Sequence, residues 1–306
     1  MAENPVIKNF GKASGATPSA VDLQKIYDQP AYTGPRGARR YMTLDDVVQR
    51  TGAMLATILV TGAIAWIALP QRLYGPVLVV SALGGVGLGL FMAFTQRVNA
   101  ASALIYSAFE GVLLGAISHA FEQRFHGIVI QAVTGTVMVA AGMLFVYKIG
   151  AIRVTPRFTR ILVGATIGVF GLMVVNLIAY LFTSDGLGLR SGGPLAVVFS
   201  LVCIAIAAFN LVLDFDMIEQ GIRRGAPQKF AWYASFGLTV TLIWLYIEIL
   251  RLLSYLRNSC GAREPLAFGP SVKPDLGRAG AHRLSRAGAW WCCAGVVAGG
   301  AAWSAG

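Results

Sequence analysis

The sequence predicts an all-α protein, a seven-transmembrane helical bundle. Three observations predict it. The chain is 56% hydrophobic and only 13% charged, with a mean hydropathy of +0.65; an ordinary soluble domain has about 25% charged residues. Seven apolar runs each reach the ~20 residues needed to cross a bilayer. Lysines and arginines cluster in alternate connections between those runs, as the positive-inside rule requires.

In chain order, residues 1–42 are polar and contain Gly, Pro, Lys and Arg but no signal-peptide pattern. They read as a disordered cytosolic tail. Thr43-Leu-Asp-Asp46 pairs an N-cap residue with first-turn acids, so a helix is expected to start there. The seven runs follow: Thr51–Leu69, Tyr74–Phe94, Ala101–Ala120, Ile128–Tyr147, Phe158–Phe182, Leu195–Leu213 and Ala231–Leu256. Pro70, Asn99, Gly127, the Arg153–Arg157 segment, a Gly-rich loop over 184–194 and Gly225-Ala-Pro227 separate them. Such short connections make neighbouring spans antiparallel. The membrane domain is expected over 43–258. Residues 259–306 are rich in Gly, Ala and Arg with three prolines, and read as a disordered C-terminal tail.

Orientation follows from the basic residues. The N-terminal stretch, the loop after the fourth run (Lys148, Arg153, Arg157) and the loop after the sixth (Arg223, Arg224, Lys229) carry most of them. The alternate loops hold only Arg72, Arg124 and Arg190. A cytosolic N-terminus in a cell membrane results. Arg251, Arg257 and Arg263, flanking the end of the seventh run, oppose that assignment. The formal charge of +11 is explained by these loops and tails, without a nucleic-acid partner.

Gly-x-x-x-Gly spacings at Gly85/Gly89, Gly111/Gly115 and Gly164/Gly168 are expected to let helices approach closely. Cys203, Cys260, Cys292 and Cys293 show neither zinc spacing nor a disulfide framework. No His-Glu-x-x-His motif and no legible hydrolase constellation is present, so an enzyme is not expected. No resident cofactor is expected either.

Acids inside the spans are costly and mark candidate sites. Asn210-Leu-Val-Leu-Asp-Phe-Asp-Met-Ile-Glu-Gln-Gly221 closes the sixth run with Asp214, Asp216 and Glu219. On a helix Asp216 and Glu219 share a face, while Asp214 points elsewhere. Glu110 lies near the middle of the third run; it serves either a polar pathway or a structural hydrogen bond, for instance to Asn176 or Asn210. Glu248 interrupts the seventh run, with Arg251 placed to pair with it three residues on. His119 and His126 stand at the outer end of the third run and read as ordinary interfacial residues.

Phe109-Glu-Gly-Val-Leu-Leu-Gly-Ala-Ile117, Phe215-Asp-Met-Ile218 and Leu245-Tyr-Ile-Glu-Ile-Leu250, in this order across seven spans, resemble the transmembrane Bax inhibitor motif family, in its bacterial branch. The resemblance covers Met42 to Asn258. It implies a bundle whose last helix is central, in a bacterial inner membrane, and a pH-sensitive calcium leak governed by one acid on the sixth helix and one on the seventh. Asp216, or alternatively Asp214, matches the first position and Glu248 the second. Calcium would be the transported or bound ion, held by Asp216 and Glu248. Sharing a proton, these acids would latch the two helices; Arg251 would oppose this by neutralising Glu248. Helix counting places Glu248 deeper than Asp216, so the pair forms only if 230–237 is broken or re-entrant. The family also implies an alternative, a non-conducting protein that modulates a membrane protease or other membrane protein.

Overall fold

The computed structural model describes residues 41–96, 98–182, 187–190 and 192–261. The tails expected over 1–42 and 259–306 lie outside these residues, apart from 41–42 and 259–261. The elements are α1 (Leu44–Ala68), a short 3-10 turn (Gln71–Leu73), α2 (Tyr74–Thr95), α3 (Ala100–Arg124), α4 (Ile128–Lys148), α5 (Pro156–Phe182), α6 (Pro194–Arg223) and α7 (Phe230–Gly261). These seven helices are long and apolar enough to cross a membrane. There is no β-sheet among the described residues, only an isolated bridge between Tyr41 and Pro227.

Local chemistry sets the boundaries. Thr43 caps α1: its hydroxyl accepts from the Asp46 amide at 3.2 Å, and Asp46 accepts the Thr43 amide at 3.1 Å. This reciprocal pair satisfies amides that the first helical turn leaves open. Asn99 and Ser102 cap α3 in the same way. Gly127, in the left-handed region at φ 79°, makes the tight turn into α4. Tyr41 and Met42 belong to the folded unit rather than to the tail. Met42 is 2% exposed, and its amide donates to the Ala226 carbonyl at 2.9 Å.

The closest helix seam joins α1 to α3. A Cβ on Gly115 would meet the Gly62 carbonyl oxygen at 2.3 Å, and one on Gly111 would meet the Ile58 carbonyl oxygen at 2.5 Å. Only glycine permits that approach. Gly85 and Gly89 are buried in α2. Gly164 and Gly168 differ from expectation: no neighbouring atom lies within 4 Å of an added Cβ at either. Their spacing marks an exposed helix face instead of a helix contact.

The last helix packs chiefly against α6, α1 and α4, and more lightly against α3. The helix α2 leans on α3, and α5 leans on α6. The main apolar core runs along α7 through Ile243, Leu245, Ile247 and Leu250, with Leu113 and Ala116 from α3 and Leu211 from α6. Burying a side chain of this kind contributes roughly 1.5–3 kcal/mol in water-based terms; within a bilayer, close packing supplies most of the cohesion.

Candidate functional site: buried acids along the last helix

Two polar stations lie along α7. The first surrounds Phe236 and Gly237. Consecutive helical residues point about 100° apart, so these two face different neighbours. Phe236 meets Tyr106 of α3 edge-on, ring centroids 5.0 Å apart. Gly237 faces α6, where a Cβ would stand 3.7 Å from Asp214 Oδ1. Glu110 follows Tyr106 by one turn on α3. One turn of α7 is therefore flanked by Asp214 on the α6 side and by Tyr106 on the α3 side, with Glu110 a turn further along α3.

Both acids are out of contact with the surface: Asp214 is 4% exposed and Glu110 1%. Asp214 Oδ2 and Glu110 Oε2 have no hydrogen-bond partner among the described residues, nor have the hydroxyls of Tyr233 and Thr51. Thr241 faces the Asp214 carboxyl, and Tyr233 lies within its electrostatic reach. Such oxygen-rich, incompletely bonded surroundings are expensive in a dry interior.

The second station is centred on Glu248, which is fully buried. Arg251 Nη1 donates to Glu248 Oε1 at 3.0 Å, and Arg190 Nη2 donates to the same oxygen at 3.2 Å. Arg190 also contacts Met173 Sδ at 2.6 and 3.1 Å. The loop that carries Arg190 is tethered where Asn176 Oδ1 accepts the Leu187 amide at 3.0 Å. Seven residues separate Thr241 from Glu248, which is about 10 Å along a helix.

The predicted residues are thus distributed, not gathered. Asp216 is half-buried and accepts from Gln220 Nε2 at 2.5 Å. Glu219 accepts from the Tyr147 hydroxyl and from Arg223. These two acids face α4 and the end of the bundle, because positions two apart on a helix diverge by about 200°. The structure does not bring Asp216 and Glu248 together, and α7 is continuous from Phe230, without the break that their meeting requires. The Glu248–Arg251 pair forms as its spacing predicts. The hydrogen bonds anticipated for Glu110 do not form: Asn176 holds the Leu187 amide, and Asn210 Nδ2 donates to Thr166 Oγ1 at 3.0 Å and to the Ile206 carbonyl. His119 hydrogen-bonds the Tyr74 hydroxyl and packs edge-on against Trp66.

Sequence reasoning missed Arg190, Thr241 and Tyr233 as members of these stations. Arg190 counted only as a loop charge. The signal that could have found it is Glu248 itself, since a carboxylate in mid-span calls for a cation, and Arg190 is one of few basic residues in the alternate loops. No group of three or more His, Cys, Asp or Glu side chains is placed to hold a metal ion among the described residues.

No curated protein and no solved structure matches the chain. A family model described as Bax inhibitor 1 like matches residues 4–258. The match spans all seven helices and extends further towards the N-terminus than the sequence motifs do. The chain belongs to the Bax inhibitor 1 like family.

Proposed function

We propose that the protein is a pH-sensitive leak pathway for cations, calcium above all, in a cell membrane with its N-terminus in the cytosol, and that it is not an enzyme. The observation that carries the reading is the first station. Asp214 lies beside Gly237 of α7, Glu110 stands one turn along α3 from the Tyr106 that meets Phe236, and each carboxyl has an oxygen without a partner among the described residues. Carboxyl groups, hydroxyls and carbonyls are the ligands that calcium prefers. Asp214, Thr241 and Tyr233 supply such oxygens on the α6 side, and Glu110 supplies one on the α3 side. A few donors along a path suit an ion in transit. A resident ion would call for a fuller cage.

In this reading Asp214 takes the sixth-helix role in place of Asp216, because only Asp214 faces α7. Proton loss and gain at that carboxyl would change the charge beside Gly237 and with it the affinity for a passing cation. The Glu248–Arg190–Arg251 station lies further along α7 and closes the path by holding its own charges paired.

The test is calcium flux into dye-loaded liposomes containing the purified full chain. Flux above that of empty liposomes, varying with pH, is the expected result. Flux equal to empty liposomes from acid to neutral pH overturns the reading and leaves the non-conducting, partner-modulating alternative.

A further inference from the structure

A second feature shares helices with the first station: Gly111, Phe215, Leu238 and Leu242, each next in sequence to a station residue, help to line it. Between α1 and α4 runs an apolar groove of about 910 Å³, floored by α3 and α7. The helix α1 is held to α3 by the Gly62–Gly111–Gly115 seam, while α4 packs on α7 and α6. The pair α1 and α4 makes no substantial contact of its own. A lateral gap is therefore built into the packing. Leu59, Ile67, Val133 and Val137 line it and are exposed.

The polar groups of the groove satisfy one another. Ser118 and Tyr246 share a hydrogen bond of 2.7 Å, and the Thr136 hydroxyl donates to the Ala132 carbonyl at 2.8 Å. The hydroxyls of the lining thus ask for neither water nor an ion. At the end where α1 finishes, Trp66 lies beside His119 and Tyr74, an aromatic and polar cluster of the type found at headgroup depth.

Size selects the occupant. A span of ~20 residues, about 30 Å long and 10 Å across, fills roughly 2,400 Å³, far more than the groove provides. An acyl chain of 16 to 18 carbons fills roughly 450–500 Å³ if a methylene is about as large as a water molecule, ~30 Å³ or slightly less, so the two chains of one phospholipid come to about the volume of the groove. We propose that this groove is a binding site for the two acyl chains of a bilayer phospholipid, with its headgroup beside the Trp66–His119–Tyr74 cluster. The proposal goes beyond the cation leak, and its test reads lipid, not ions.

The full chain is reconstituted in phosphatidylglycerol vesicles with brominated acyl chains, then extracted into lipid-free detergent and washed. Native mass spectrometry should find one phospholipid retained per chain. Trp66 fluorescence, taken as the difference from Trp66→Phe, should remain quenched relative to unbrominated vesicles. Filling the groove with Val137→Phe plus Ala141→Phe should lower retention about fivefold. Ile161→Phe, at an exposed position on α5 outside the groove, should leave it unchanged. Loss of all lipid on washing with unquenched Trp66 overturns the proposal. So does equal loss in Ile161→Phe, retention of free fatty acid instead of phospholipid, or a dimer that the groove variants dissociate. Should the double variant fail to fold, the quenching of Trp66 in the parent chain decides.

Discussion

A single carboxyl changes character with two residues of helix. Asp214 faces Gly237 and Thr241 in the interior, whereas Asp216 is held by Gln220 towards α4 and the bundle end. Asp214→Asn keeps the shape and removes the titration, so calcium flux should lose its pH dependence. Asp216→Asn should keep the parent's pH profile. Equal effects of the two in the liposome assay would refute the assignment. Glu248 makes a structural prediction. Removing it leaves Arg190 and Arg251 buried without their shared carboxylate, and breaking such a cluster costs about 3–5 kcal/mol. Glu248→Gln should therefore unfold at markedly lower denaturant in mixed micelles. The sequence showed that acids sit inside the spans, and the Glu248–Arg251 pair, because helix spacing fixes both. It could not show Arg190 reaching Glu248, since that contact joins positions 58 apart through a loop whose course depends on packing.

Helices repeat the lesson at a larger step. All seven apolar runs became helices, and Thr43 caps the first as its spacing predicts. Apolar length and capping chemistry are local, and so they are legible. The three Gly-x-x-x-Gly spacings look alike in sequence, yet only contact geometry separates a seam from a bare face. Gly115→Ala drives a Cβ into the Gly62 carbonyl, and overpacking of this kind costs about 1–3 kcal/mol. Gly164→Ala meets open space and replaces a flexible helical residue, so it should be neutral or stabilising by up to about 1 kcal/mol. Unfolding of the two variants side by side checks both signs. A Gly164→Ala penalty as large as that of Gly115→Ala would show that α5 packs where the structure leaves it bare.

For the whole molecule, the distribution of Lys and Arg leads to the expectation that the loops after Lys148 and after Arg224 face the cytosol. Reporter fusions at those points should both read cytosolic, and a periplasmic reading at either refutes the orientation. Two of the arginines that argued the other way have structural occupations, while the third, Arg263, lies outside the described residues. Arg251 pairs with Glu248, and Arg257 donates to the His126 carbonyl at 2.7 Å and to Gln131 at 2.9 Å. Their placement answers to these partners within the bundle, which a count of charges along the chain does not register.

The contact between the start of α1 and the turn before α7 also governs how the protein is made. Met42 binds Ala226, Arg50 Nη1 donates to the Gln228 carbonyl at 2.5 Å, and Gln228 donates to Asp46 at 2.8 Å across 182 residues of chain. At about 5–20 residues per second, a ribosome needs roughly 10–40 s to supply that partner. Throughout that interval the first helix sits in the membrane with its docking face uncovered. Completion of the bundle is thus timed by its last hairpin, and a nascent chain stalled before Ala226 presents an open end to whatever surveys unfinished membrane proteins.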